Sequence, residues 1–339
     1  MMTLAVATGA FAEEPPPSPA ADPWSLDLTV NDVGIGVGNS RHVDGLRLNF
    51  RDVAPFTVHG VNLTLWTPAE GGGGDVTGLA LGIPATGARV LRGAGLGLGL
   101  GVTDEFDGLG VGVLGIGSGG ALRGVMLGGL GMGTGGDIDG IALGGLGVGC
   151  GGRVRGVIAG GLGVGCGQDV IGIAVGGLGV GTGGRITGIA LGGLGAGSGE
   201  GIDGIAVGGL GVGSGGDLRG LVVAGLGVGS GGSIQGVAIA GLGVAAPRIR
   251  GLVAGLAAGG QDVVGAVIAP AYFEVSPEGS ITGVSISAFN RIRGEQHGLA
   301  IGIVNYTPNL HGVQIGLVNW AGNNPSGLKL LPVVNAHID

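Results

Sequence analysis

The residues best able to do chemistry are few, and their spacing says more than their types. Cys150 and Cys166 stand sixteen residues apart, and five histidines (His42, His59, His297, His311, His337) lie toward the chain ends. Two thiols do not make a zinc site without histidine at ligand spacing, and no His-Glu-x-x-His pair occurs. Gly-x-Gly-x-x-Gly matches arise by chance in so glycine-rich a chain and lack a surrounding βαβ pattern. A phosphate loop needs Gly-Lys-Ser/Thr, but the sole lysine, Lys329, is followed by leucine. Gly208–Gly213 imitates a calcium-binding roll, yet glycine sits where the carboxylate ligand belongs. Asp104, Glu105 and Asp107 read as one solvated acidic turn. The histidines read as surface or corner residues, with His297 and His311 each just before a unit glycine. The expectation is a chain with no catalytic residue, cofactor or metal ligand.

The sixteen-residue interval between the cysteines belongs to the whole middle of the chain. Gly-Leu recurs at Gly129, Gly145, Gly161, Gly177, Gly193, Gly209, Gly225 and Gly241. Fixed periods of this size mark supersecondary units that bury their apolar face only by stacking. A second glycine column extends further, from Gly45, Gly60, Gly78, Gly93 and Gly108 through Gly236 to Gly251, Gly265, Gly283, Gly298, Gly312 and Gly327. Its spacing is regular between Gly108 and Gly236 and looser outside, as expected of capping units.

Within a unit the apolar residues alternate, which argues strand. After Gly204 come Ile205, Ala206 and Val207, then Gly208-Gly209, Leu210 and Val212. This predicts two short strands per unit, turned at Gly208-Gly209 and Gly215-Gly216. The large side chains are expected in a narrow core, with alanine and glycine outside or at bends. Two further columns favour in-register parallel stacking. One is Ser118, Thr134, Cys150, Cys166, Thr182, Ser198, Ser214, Ser230; the other alternates in sign as Asp137, Arg153, Asp169, Arg185. Adjacent coils about 4.8 Å apart would set unlike charges side by side. They would also bring Cys150 and Cys166 within disulfide range, so a disulfide and a pair of small buried residues both remain open.

Near the C-terminus, Gly298-Leu-Ala-Ile-Gly-Ile-Val-Asn305 is echoed by Gly312-Val-Gln-Ile-Gly-Leu-Val-Asn319. Asn290, Asn305, Asn319 and Asn335 recur at nearly the same interval, predicting a stacked structural ladder at a corner. These units, with the closing Leu330–Asn335, resemble a family of bacterial surface repeat-containing proteins. The match covers residues 280–339, and the Gly-Leu-Gly-Val-Gly middle looks like a simplified variant. The resemblance implies export and an envelope or surface location, and brings no catalytic residues.

Composition fits that picture. Glycine supplies 89 of 339 residues, yet hydrophobic residues reach 44%, so the middle is neither a polar linker nor disordered by composition. The net charge is −8 with no basic patch, which argues against nucleic-acid partners. Residues 1–12 read as the end of a secretory signal peptide lacking its basic region, and 13–23 as a proline-rich acidic linker. Residues 24–107 form irregular N-terminal repeats, 108–250 the regular array, and 251–339 irregular C-terminal repeats.

The expected fold is all-β: a glycine-rich β-solenoid of 14–18-residue coils, about nineteen in number and roughly 90 Å long. The alternative is an up-and-down outer-membrane β-barrel. The expected role is that of an exported, non-enzymatic structural or adhesive repeat protein at the outer membrane or cell surface, with the periplasm as the other location. Envelope components and the membrane are its candidate partners. A porin-like barrel and an ice- or polysaccharide-binding surface are the competing functions.

Overall fold

The computed structural model describes residues 24–69 and 73–338. The segments read as signal peptide and linker lie outside the described residues. Within them the regular structure is β throughout, and parallel strands stack into a solenoid of about seventeen turns.

The regular coil explains the sixteen-residue period. Each has a long strand such as Ile138–Gly144 and a short one such as Gly147–Cys150. The long strand pairs in parallel with Val154–Gly160 of the next coil, Ile138 facing Val154 and Gly140 facing Gly156. The short strand likewise pairs with Gly163–Cys166. A barrel would pair consecutive units antiparallel, so the sixteen-offset parallel register overturns that alternative. Both expected corners form, the first displaced by one residue: Gly201–Gly208 and Gly211–Ser214 are separate strands with bends at Gly209-Leu210 and Gly215-Gly216.

One glycine per coil is sterically imposed. Gly140 has φ +129°, and a Cβ there would meet the carbonyl oxygen of Gly124 one coil below. L-residues seldom adopt that backbone, and the close approach forbids a side chain. The same conformation recurs from Gly45 to Gly312. Gly327 departs from the expected series: it falls in a turn rather than a coil.

The ends are closed by antiparallel strands. Ser25–Val30 folds back on Val33–Gly38 through Asn31 and Asp32, both at positive φ, the conformation of a tight hairpin turn. At the other end Leu330–His337 runs antiparallel to Asn309–Ala321.

Side-chain direction corrects the expected core. Ile202, Ala206 and Val212 point inward and are buried, whereas Ile205, Val207 and Leu210 lie on the outside at 37–49% exposure. Strand alternation sets this: Asp203 must face solvent, and Ile205 and Val207 share its face. The interior of so narrow a coil is filled by a few inward side chains, Ile138, Ala142 and Val148 in one coil and Val154, Ile158 and Val164 in the next.

Candidate functional surface

Register turns the outside of the regular array into three lengthwise strips. The first is polar. Asp137, Arg153, Asp169 and Arg185 lie along the turn, and the carboxylates do more than balance charge. Asp137 Oδ1 accepts the backbone N–H of Arg153 (2.8 Å), and Asp169 Oδ1 that of Arg185 (2.9 Å). Asp217 repeats the device on Ser233, accepting both its N–H and its Oγ–H at 2.9 Å. These bonds, with the nearby Arg219 guanidinium, hold the Asp217 carboxyl below the usual carboxylate range.

A second charged column, missed in the sequence, runs two residues further on. Asp107, Arg123, Asp139 and Arg155 are neighbours across successive coils. Arg155 reaches Asp139 at 3.3 Å, and Arg123 contacts both Glu105 and Asp139. Its alternating signs were available to the same reasoning that found the first column.

The second strip is bare backbone. Both outward positions of the short strands are glycine, as in Gly147 and Gly149, coil after coil. The packing does not demand this at every position. A Cβ at Gly133, Gly165, Gly181, Gly213 or Gly229 would meet no atom within 4 Å. The side chains between them point inward: Ser198 Oγ donates to carbonyls of the turn, and the whole Ser/Thr/Cys column stacks in register.

The third strip is apolar and exposed. Ile141 and Leu143 stand outward on the long strand, and Leu146 crowns the bend at 51% exposure. The leucine column runs from Leu114 to Leu256, tied by backbone bonds such as Leu162 N–H to the Leu146 carbonyl (2.6 Å). Along the Leu143 column, over the coils from Val111 to Gly177, lies an open groove of about 710 Å³, floored by the Gly144-Gly145 positions of successive coils. At the second of these positions a side chain has no room, since a Cβ on Gly145 would strike the Gly129 carbonyl; the first admits alanine at Ala224 and Ala240.

Cys150 and Cys166 are register neighbours, and both are buried free thiols. Side chains on in-register parallel strands project side by side, keeping their Cβ atoms near the ~4.8 Å strand spacing. That exceeds the span a disulfide prefers, so the small-residue reading fits the geometry better. The contact with Cys150, and then burial, push the Cys166 thiol well above the usual thiol range.

The asparagine ladder forms, with one correction. Asn290 Nδ2 donates to Asn305 Oδ1 and Asn305 Nδ2 to Asn319 Oδ1, each at 2.7 Å. The ladder is fully buried, on the inner side of the corner, where Asn290 and Asn319 also donate to the Ser287 and Gly316 carbonyls. Asn335 does not extend it: in the closing antiparallel strand it faces Gln314, and it donates to the Asn319 backbone carbonyl at 3.2 Å. His297 and His311 stack with ring centroids 4.8 Å apart, and Tyr306 and Trp320 at 4.4 Å.

At the N-terminal end the interior turns polar. Arg47 and Asp52 are both fully buried and paired at 2.6 Å. Arg47 also donates to the Ser40 carbonyl and Asn62 Oδ1, each at 3.0 Å, with Phe56 lying over its guanidinium at 4.1 Å. Its register column holds Gly36, Asn62 and Ala80, and the repeat pattern did not mark Arg47 as internal.

Among the described residues no three His, Cys, Asp or Glu side chains come together as a metal site. Comparison with known proteins finds no family model, no curated protein and no solved structure that matches the chain.

Proposed function

We propose that this chain is a non-enzymatic structural or adhesive rod of the bacterial cell envelope or surface. One observation carries the reading: stacking in register converts short repeats into polar, bare-backbone and apolar strips that run the length of the array. Surface repeated at a fixed step suits contact with an extended partner rather than capture of one small molecule. Contiguous exposed apolar surface on this scale marks an interaction site.

The placement at the envelope draws on the likeness of Gly298–Asn305 and Gly312–Asn319 to surface repeats and on the apolar run of residues 1–12. Fractionation of the native host tests it. The expected result is protein in the envelope fraction or the medium, with carbonate releasing the envelope-bound part without detergent. Recovery in the cytosol overturns the placement, and a strict detergent requirement overturns the peripheral rod.

A further inference from the structure

The apolar strip identifies an interaction surface, and its form narrows what can cover it. We propose that it is the contact between two copies of this chain, packed side by side along their lengths. This rests on the rod reading above, though not on where in the cell the rod resides.

The first argument is area. The leucine column from Leu114 to Leu256 spans ten coils, roughly 48 Å at about 4.8 Å per strand. From the Ile141 column across Leu143 to Leu146 the strip is roughly 15 Å wide, at about 3.3 Å per residue. The product, roughly 700 Å² on each copy, approaches the ~800 Å² per partner of a stable complex.

The second argument is shape. Leu146 and its half-exposed equivalents make a ridge on the bend, and the glycine positions at 144 and 145, next to them in the chain, floor the groove along the Leu143 column. Ridge and groove share one axial repeat. A two-fold axis along the rod therefore seats each copy's ridge in the other's groove, an isologous contact that closes as a dimer. An axis across the rod would set ridge on ridge. The proposed dimer is therefore parallel.

The third argument is chemistry. No charged or aromatic residue interrupts the strip between Leu109 and Leu256. Surface helices and anchors that lie on lipid carry cationic and aromatic side chains at the interface; this strip has neither. The flanking polar edge alternates Asp107, Arg123, Asp139 and Arg155, so two copies approach without a block of like charge.

Sedimentation velocity of the full chain over a dilution series tests the proposal. The expected result is a dimer that dissociates in or below the low micromolar range. Replacing Leu162, Leu178 and Leu194 together by glutamate should weaken it at least 100-fold while the β circular dichroism is retained. These side chains are half-exposed, so the core is untouched; if the triple variant nevertheless loses its β signal, Leu178→Asn is read instead, with at least a tenfold weakening expected. Arg219→Glu on the polar edge should leave association unchanged.

A monomer at 100 µM overturns the proposal, as does a dimer indifferent to the leucine substitutions. A monomer that binds phosphatidylglycerol vesicles through the same leucines also overturns it and assigns the strip to lipid. Spin labels on the polar edge at opposite ends of the array read orientation: short distances between like positions support the parallel pair, and short distances only between unlike positions refute it. A leucine-dependent dimer found in the cytosol would sink the envelope placement and leave this contact standing.

Discussion

Replacing Asn305 by alanine should loosen one end of the rod and leave the middle intact. The Asn305 side chain is wholly buried, accepts from Asn290 Nδ2, and donates to Asn319 Oδ1 and the Ile315 carbonyl. The loss is uneven. Asn290 Nδ2 keeps the carbonyls of Ser287 and Ile301, and the Ile315 carbonyl keeps the Gly302 N–H. Asn319 Oδ1 is left without its donor, and an orphaned buried acceptor costs about 1–3 kcal/mol. With the small void left by the amide, the total comes to about 2–4 kcal/mol. A stack whose coils contact only their neighbours should confine most of this to the damaged end. Hydrogen exchange resolved by segment is the assay. Amides in 289–321 should exchange faster in the variant, while those in 138–240 keep their protection. A loss below about 0.5 kcal/mol would refute the energetic role of the ladder, and uniform loss along the chain would refute the locality.

Five further substitutions probe the coil. Ile202→Ala, in the core, should cost about 2–4 kcal/mol in urea unfolding; Ile205→Ala, on the outer face, should cost under about 1 kcal/mol, and the reverse order would restore the inverted core. Gly204→Ala should destabilise by more than about 2 kcal/mol, because φ is +134° and the new Cβ would meet the Gly188 carbonyl. Gly213→Ala, where nothing lies within 4 Å, should be neutral or stabilise by up to about 1 kcal/mol in the same assay. Asp217 has its folded pKa held below the unfolded value of about 3.9. Its contribution is therefore present above that value and lost as pH falls through the folded one. Thermal melts should show Asp217→Asn less stable than the parent at pH 7, with the gap closing in strong acid.

The fold was readable because spacing alone carried it. Ser118, Thr134 and Cys150 keep their interval only if successive coils superimpose, and glycine at 140, 156 and 172 is required wherever one backbone crosses another closely. Hydrophobicity alone is a poor guide to which side chains face the interior. In so thin a coil Ala206 fills the space available, and Ile205 must go outside with Asp203. Asp139, two residues before Ile141, held that information in its parity. Arg47 and Asp52 were invisible for another reason: a buried ion pair depends on contacts between distant residues, and no periodicity announces it.

The two antiparallel closures, Ser25–Val30 and Leu330–His337, lie far from the regular array, whose inner coils have equivalent neighbours above and below. Gene segments encoding sixteen residues can then be duplicated or deleted without altering either terminus, each event changing the rod by one step of about 4.8 Å. Length thus becomes an inheritable quantity, adjustable in fixed increments. The leucine ridge grows or shrinks by the same count, so reach and grip between copies would evolve together.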